Sequence, residues 1–506
     1  MKRLIKIAEK YSAFAEDLKV PFGYYILTFL AFVTLRNLLE VFSDKSVVSM
    51  ELHFHYYLSY ICLALFMTLL FSVFTGEKMA RIARLVLCSF YFIFLAPILD
   101  LVISGGQGYN MAYLLPDRHG DLLLRYLTLG GPFEQVGITI GLKLEVSILM
   151  ISSFVYSKAK KVTTLKSLLL ALLVYTLIFA YAIVPFVVKA ILDVFHLFDY
   201  FYSMLFAKFY LVVIFVLLLI VVRRWNKKYF TSLVKDMRPY RQAHALMMFA
   251  FGIILGPSLV WNQDTFFDLP LVAISIFWAC LFVIMTNNLE DQNIDRWVNR
   301  KRPLVSGAIP RGDYKSITVA VGLLALTYAL AVSYYTFFTI LLFMGLYSLY
   351  SMPPIRFKRV PFFSKLVITI NSLAFVIMGY AFAGGEVIEF SPLIILWFLI
   401  FFTAAMNFID LKDYQGDKRA GIKTLPVLWG MEKSQRVIGL FFALAYVAAP
   451  FAVGQMILLI PAIGAGVAQY WLVNKKDYQE KWVFGLYLAS FTILLVVLGL
   501  AERLVL

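Results

Sequence analysis

The sequence predicts an all-α, polytopic integral membrane protein of about 15 transmembrane helices. Three observations carry that prediction. Apolar runs of about 20 residues recur along the chain, long enough to cross a bilayer as helices and without the alternation of a β-barrel. Hydrophobic residues make up 62% of the 506 residues and charged ones only 15%, a balance that excludes a soluble globular protein. Lys and Arg fall in short clusters between the runs. The net charge of +16 therefore reads as positive-inside anchoring, with no nucleic-acid partner expected.

In chain order, the first twenty residues are basic and amphipathic and lead directly into an apolar run without a small-residue cleavage site, which predicts an uncleaved first span. Six spans are expected near 22–42, 55–75, 85–104, 136–156, 167–190 and 203–222. Nine more are expected near 243–262, 269–289, 315–333, 335–350, 364–384, 391–409, 436–453, 455–473 and 483–503. With the N-terminus placed inside, the inner face receives Lys78–Arg84, Lys158–Lys166, Arg223–Arg241, Arg296–Arg311, Arg356–Arg359, Lys412–Lys423 and Lys475–Lys481. That concentration on one face makes it the cytoplasmic one, in a membrane expected to be a prokaryotic plasma membrane. The connector 223–242 is the longest basic one, so the expected domains are 1–222 and 243–506.

The first half resists a functional reading. Cys62, Cys88 and Cys280 lie in apolar runs without metal-ligand spacing and read as buried thiols. His53 and His55 read as interfacial residues, and the glycines from Gly105 to Gly131 as a flexible outer loop. Asp100, Glu145 and Asp193 are intramembrane acids, functional by default unless paired with Lys143, Lys189 or backbone donors. A packing and oligomerisation module, a site presenting a lipid acceptor and a transport-like domain all remain open; the oligomeric state is not legible.

The second half carries two acidic clusters at the ends of apolar runs. One is Asn287-Asn288-Leu289-Glu290-Asp291-Gln292-Asn293-Ile294-Asp295; the other is Asp410-Leu411-Lys412-Asp413-Tyr414-Gln415-Gly416-Asp417. Asn287, Asp291 and Asp295 recur every four residues, and Asp410, Asp413 and Asp417 at three and four, so each set lines one helical face. Two facing acidic stripes suit a divalent cation, and hard oxygen donors with room for water suit Mg²⁺ bridging to a phosphate. Basic elements follow each cluster: Arg296 to Gly307, including Arg302-Pro303-Leu304-Val305-Ser306-Gly307, and Lys418 to Pro426, including Lys423. A third inner loop holds Pro353-Pro354-Ile355-Arg356-Phe357-Lys358-Arg359. Carboxylates and guanidinium groups together suit an anionic, metal-bound ligand such as a diphosphate.

These strings resemble the paired motifs of the UbiA superfamily of intramembrane prenyltransferases, whose pattern is Asn-Asp-x-x-Asp-x-x-x-Asp followed four helices later by Asp-x-x-Asp-x-x-x-Asp. The resemblance covers roughly 240–506 and includes the nine-helix count. One position departs: the family's Asp after the first Asn is Asn288 here. Its carbonyl could still serve a metal or its water, while Glu290 could compensate only if the helix unwinds. The seven-residue step from Asp295 to Arg302 is that of chlorophyll synthases and archaeal digeranylgeranylglyceryl phosphate synthases.

The resemblance implies a Mg²⁺-dependent transferase using a prenyl diphosphate and a lipophilic acceptor among membrane lipids. Ionisation of the allylic C1–O bond would be followed by capture of the carbocation. It also implies that Asn287, Asp291, Asp295, Asp410, Asp413 and Asp417 hold the metal, the five Asp being the catalytic set. Asn287, Arg302, Arg356, Lys358, Lys412 and Lys423 are then the expected diphosphate contacts, though Lys358, Lys412 and Lys423 serve equally well as anchoring or charge-balancing residues. Tyr347, Tyr350 and Phe408 are candidate aromatic walls, and Asn407 either an acceptor contact or a helix–helix donor. An aromatic, quinone-precursor acceptor is the alternative. From another class, a non-catalytic scaffold or transporter could retain the fold.

Overall fold

The computed structural model describes residues 1–506 except 45–48, 133, 135, 361, 362, 420 and 506. The chain is helical almost throughout; among the described residues the one strand pairing is a two-residue parallel contact of Asn110–Met111 with Val136–Gly137. Among them, 13 helices are long and apolar enough to cross a membrane, and the protein is an all-α polytopic membrane protein. The two other expected spans are helices as well, Pro239–Leu255 with 17 residues and Tyr334–Ser351 with 18. The first is short and the second is diluted by tyrosine and serine, which accounts for the lower number.

Two compact units divide the chain: Met1–Phe230 with Trp261–Pro270, and Thr231–Val260 with Leu271–Leu506. In the first unit, Phe29, Val33, Ile82, Leu85 and Phe90 form a buried core beneath the amphipathic helix Lys2–Ala15. The span expected near 85–104 is two helices, Met79–Ser89 and Leu95–Ile103, joined by a 3-10 turn, Phe90–Phe94. Charge inside this unit is paired. Lys160 meets Glu16 at 2.7 Å, Arg36 meets Glu40 at 2.8 Å, and Lys208 lies 2.6 Å from Asp264 and 2.9 Å from Asp268.

The acids of the first half are satisfied locally. Asp100 accepts from the Thr139 hydroxyl and, at 2.7 Å, from the Gly141 amide, whereas Glu145 accepts from the Ala96 amide at 2.9 Å. Lys143 donates to the Gly131 carbonyl and to neither acid, while Lys189 pairs with Asp193 at 3.2 Å. His55 is a correction: it is 2% exposed and not interfacial, with Nε2 2.7 Å from the Tyr113 hydroxyl. It lines a cavity of about 320 Å³ together with Arg36, Glu40, Tyr60 and Tyr181. Tyr56, Tyr113, Phe206 and Tyr210 surround its ring. All three cysteines are free; Cys62 and Cys280 are buried and Cys88 is half-buried.

In the second unit, helices Pro239–Leu255 and Phe363–Phe382 cross where Gly252 faces the Val376 carbonyl and Gly379 faces the Phe249 carbonyl. A Cβ at either glycine would collide with the opposite backbone, so small residues set this close approach. The span ending at the second acidic cluster is irregular: Pro392–Trp397, a π turn Phe398–Phe402, Thr403–Ala405, then a 3-10 turn Met406–Asp410. Such irregular turns inside a helix commonly mark functional positions.

Candidate active site

The first acidic cluster sits where helix Gln263–Glu290 breaks at Asp291 and resumes as Gln292–Val298. Helical phase survives the break, because the Asp291 amide donates to the Asn287 carbonyl at 2.9 Å and the Asp295 amide to the Asp291 carbonyl at 2.8 Å. Asn287, Asp291 and Asp295 therefore share one face, as their spacing requires. In the second cluster the Asp413 amide reaches the Asp410 carbonyl at 3.1 Å and the Asp417 amide the Asp413 carbonyl at 2.8 Å, leading into helix Tyr414–Arg419.

Each cluster is met by basic side chains. Arg302 donates to Asp295, which is 4% exposed, and at 2.9 Å to the Asn288 carbonyl oxygen. Lys358 and Arg356 both donate to Asp291, Arg356 at 3.2 Å, while Ser351 donates to Asn287 at 3.1 Å. Arg356 adopts the left-handed region (φ 53°), a conformation that costs a non-glycine residue about 1 kcal/mol or more and tends to occur at functional sites. Lys365, 3% exposed, donates to Asp410 at 2.5 Å.

Other expected contacts fall elsewhere. Lys412 reaches Glu480 at 2.6 Å, and Lys423 is exposed, with no hydrogen bond to the acidic clusters among the described residues. Phe408 is fully buried against Phe442 and Phe484 and forms no open wall. Asn407 donates to its own turn, to the Thr403 and Ala404 carbonyls. Tyr347 lies edge-on to Tyr350, with centroids 5.8 Å apart. The Arg359 side chain lies outside the described residues. Asn288 is fully engaged in this arrangement: its carbonyl accepts from Arg302 and its amide donates to Asp236 and, at 2.9 Å, to Tyr314.

Residues near the connector complete the picture. Arg238, Arg241, Arg302, Lys412, Asp236 and Asp413 help line a polar cavity of about 1280 Å³. Arg241, then burial, then Arg302 push the Arg238 guanidinium below its usual range; crowded cations of this kind favour an anionic guest. Burial first, then the charges of Asp410 and Asp413, raise Asp417 to about 6. Arg238 and Arg241 had read only as part of a basic connector. Their three-residue spacing at the start of helix Pro239–Leu255 was the available signal for a shared face. For Lys365 it was a lone cation at the start of an apolar run.

The donor set fits a hard divalent cation by chemistry, being carboxylate and amide oxygens alone. Among the described residues, however, no three His, Cys, Asp or Glu side chains stand close enough to hold one. The reason is local: Asp291, Asp295 and Asp410 each turn toward a basic partner instead.

A model of the UbiA prenyltransferase family matches residues 245–491. Those residues form a UbiA prenyltransferase domain. The protein is accordingly a membrane prenyltransferase. Digeranylgeranylglyceryl phosphate synthase of Thermococcus sibiricus is 29% identical over 238 residues, which cover 44% of this chain and 83% of that protein. The chloroplastic 2-acyl-4-prenylphloroglucinol 6-prenyltransferase of Humulus lupulus is 26% identical over 260 residues, 46% of this chain and 62% of its own. A UbiA homolog from Archaeoglobus fulgidus, solved bound to DMAPP and Mg²⁺, aligns with a TM-score of 0.45 and 21% identity over 54% of this chain and all of that one. The UbiA domain takes in both acidic clusters and the Arg356–Lys358 loop; Arg238 and Arg241 precede the matched stretch.

Proposed function

We propose that the protein transfers a polyprenyl group from an allylic prenyl diphosphate to a lipophilic acceptor at the cytoplasmic membrane face. The observation that carries this reading is the set of basic side chains that meet both acidic clusters: Arg302 on Asp295, Arg356 and Lys358 on Asp291, and Lys365 on Asp410. Mg²⁺ held by Asn287, Asp291, Asp295, Asp410, Asp413 and Asp417 would neutralise the diphosphate and assist its departure. Basic side chains that now neutralise those carboxylates would turn to the phosphate oxygens, Arg302 and Arg356 through forked contacts and Lys358 as a point charge. The rings of Tyr347 and Tyr350, packed edge-on beside the Arg356–Lys358 loop in sequence, would shield the allylic cation and help exclude water.

For the acceptor, the reading leans to an oxygen nucleophile, a glycerol-lipid hydroxyl or a chlorophyll-type carboxylate. The step from Asp295 to Arg302 favours it, and the Thermococcus relative's name agrees. An aromatic acceptor is the second reading, favoured by the phloroglucinol prenyltransferase relative. Purified protein supplied with Mg²⁺, labelled geranylgeranyl diphosphate and a membrane lipid extract should yield a labelled prenyl lipid, whose identification separates the two. Asp413→Ala should abolish product at an unchanged thermal midpoint, because Asp413 is exposed and makes no ion pair among the described residues. Full activity of that variant would refute the assigned site, and no turnover by the unaltered protein would favour a scaffold.

A further inference from the structure

The acidic motif carries an amide, Asn288, where its pattern elsewhere calls for a carboxylate, and the structure shows what that amide does. Asn288 is 1% exposed and all its polar atoms are engaged. Its Nδ2 donates to Asp236 and to the Tyr314 hydroxyl at 2.9 Å, while its Oδ1 accepts from Arg302 at 2.9 Å. Arg302 also holds Asp295. An aspartate at 288 could accept from Arg302 and Tyr314 but could not donate to Asp236, and two carboxylates would then share one buried contact. An amide at 288 is therefore the form that accommodates a carboxylate at 236.

We propose that Asp236, at the end of helix Lys227–Asp236 and outside the recognised motif, carries the negative charge missing at position 288. It acts as a positioning residue, orienting Arg302 toward the diphosphate through Asn288. The proposal rests on the prenyl-diphosphate reading of the site. Three features support it. Asp236 lines the same polar cavity as Arg238 and Arg302. Its charge acts on Arg238, Arg302 and Tyr314. The amide's orientation is also fixed at both ends, which makes Asn288 a relay between an anion and a cation.

The test is a charge swap in the full-length protein in detergent. Asp236→Asn and Asn288→Asp should each weaken binding of inorganic pyrophosphate in the presence of Mg²⁺, measured by calorimetry. Each should also raise KM for the prenyl diphosphate more than it lowers kcat, by about tenfold or more, the scale of a lost charge-assisted hydrogen bond. The double variant Asp236→Asn/Asn288→Asp restores one carboxylate facing one amide with the same donors. It should recover both readouts to within about threefold of the unaltered protein, the signature of coupled neighbours. A double variant no better than the worse single one, or Asp236→Asn binding pyrophosphate normally, would overturn the proposal. Should Asp236→Asn fail to fold, recovery of folded protein by the double variant supports the pairing, and failure of Asn288→Asp and the double variant alike refutes it. If the unaltered protein binds pyrophosphate but turns over no prenyl diphosphate, the prenyl-transfer reading falls while the swap pattern still decides the pairing.

Discussion

Asp291, Asp295 and Asp410 are each neutralised by a basic side chain, so the acidic faces do not repel one another across the site. Asp417 makes no ion pair among the described residues, and burial with the neighbouring Asp410 and Asp413 outweighs the opposing charge of Lys365 to raise it to about 6. A raised carboxyl holds its proton in the folded state at pH values where the unfolded chain has lost it. Stability therefore falls as pH rises from about 4 through about 6. Asp417→Asn should raise the thermal stability of the metal-free protein at pH 7.5 by about 1 kcal/mol, after discounting for partial exposure. The gain should vanish below about pH 4, and prenyl transfer should drop in the same variant. Thermal scans across pH check the sign; a destabilised variant at pH 7.5 would contradict it. Spacing alone foretold the shared faces of both clusters. It could not foretell that Lys365 would meet Asp410 or that Asn288 would be consumed by Asp236, because those partners come from distant helices.

At the scale of elements, the crossing of Pro239–Leu255 with Phe363–Phe382 fixes where Arg241 and Lys365 enter the site. Gly252 and Gly379 permit it through reciprocal backbone contact. Gly252→Ala or Gly379→Ala should lower stability by about 3 kcal/mol, the upper range for overpacking, and shift the helices apart. Both variants should lose more activity than their thermal midpoint alone explains, since Arg241 and Lys365 would move with their helices. An unchanged midpoint in detergent would show that the helices do not pack this tightly. Apolar periodicity marked both helices but not their partnership; small residues three positions from the facing carbonyl suggest close packing without naming the neighbour. The irregular turns from Phe398 to Asp410 were likewise invisible, since the run's composition is that of an ordinary span.

For the whole molecule, the open question is what the first unit contributes. Residues 261–270, though inside the stretch that matches the UbiA family, cluster with that unit, where Lys208 neutralises Asp264 and Asp268. A fragment of residues 231–506 would remove Lys208 and uncover those acids, leaving two like charges without their cation at a solvated surface. We expect the fragment to retain prenyl transfer at a lower thermal midpoint, partly recovered by Asp264→Asn/Asp268→Asn. A folded but inactive fragment would assign the first unit a part in catalysis. The sequence by itself determined the membrane class, most of the spans and the spacing of the two acidic clusters, because hydropathy and helical spacing are local properties of the chain; the prenyltransferase relationship came from the resemblance of its motifs to a known family. Only the tertiary structure decided which cation meets which carboxylate, why an amide stands at 288, and that His55 is buried beside a tyrosine-lined cavity. Each of these depends on side chains brought together from residues far apart in sequence, and no local pattern encodes that pairing.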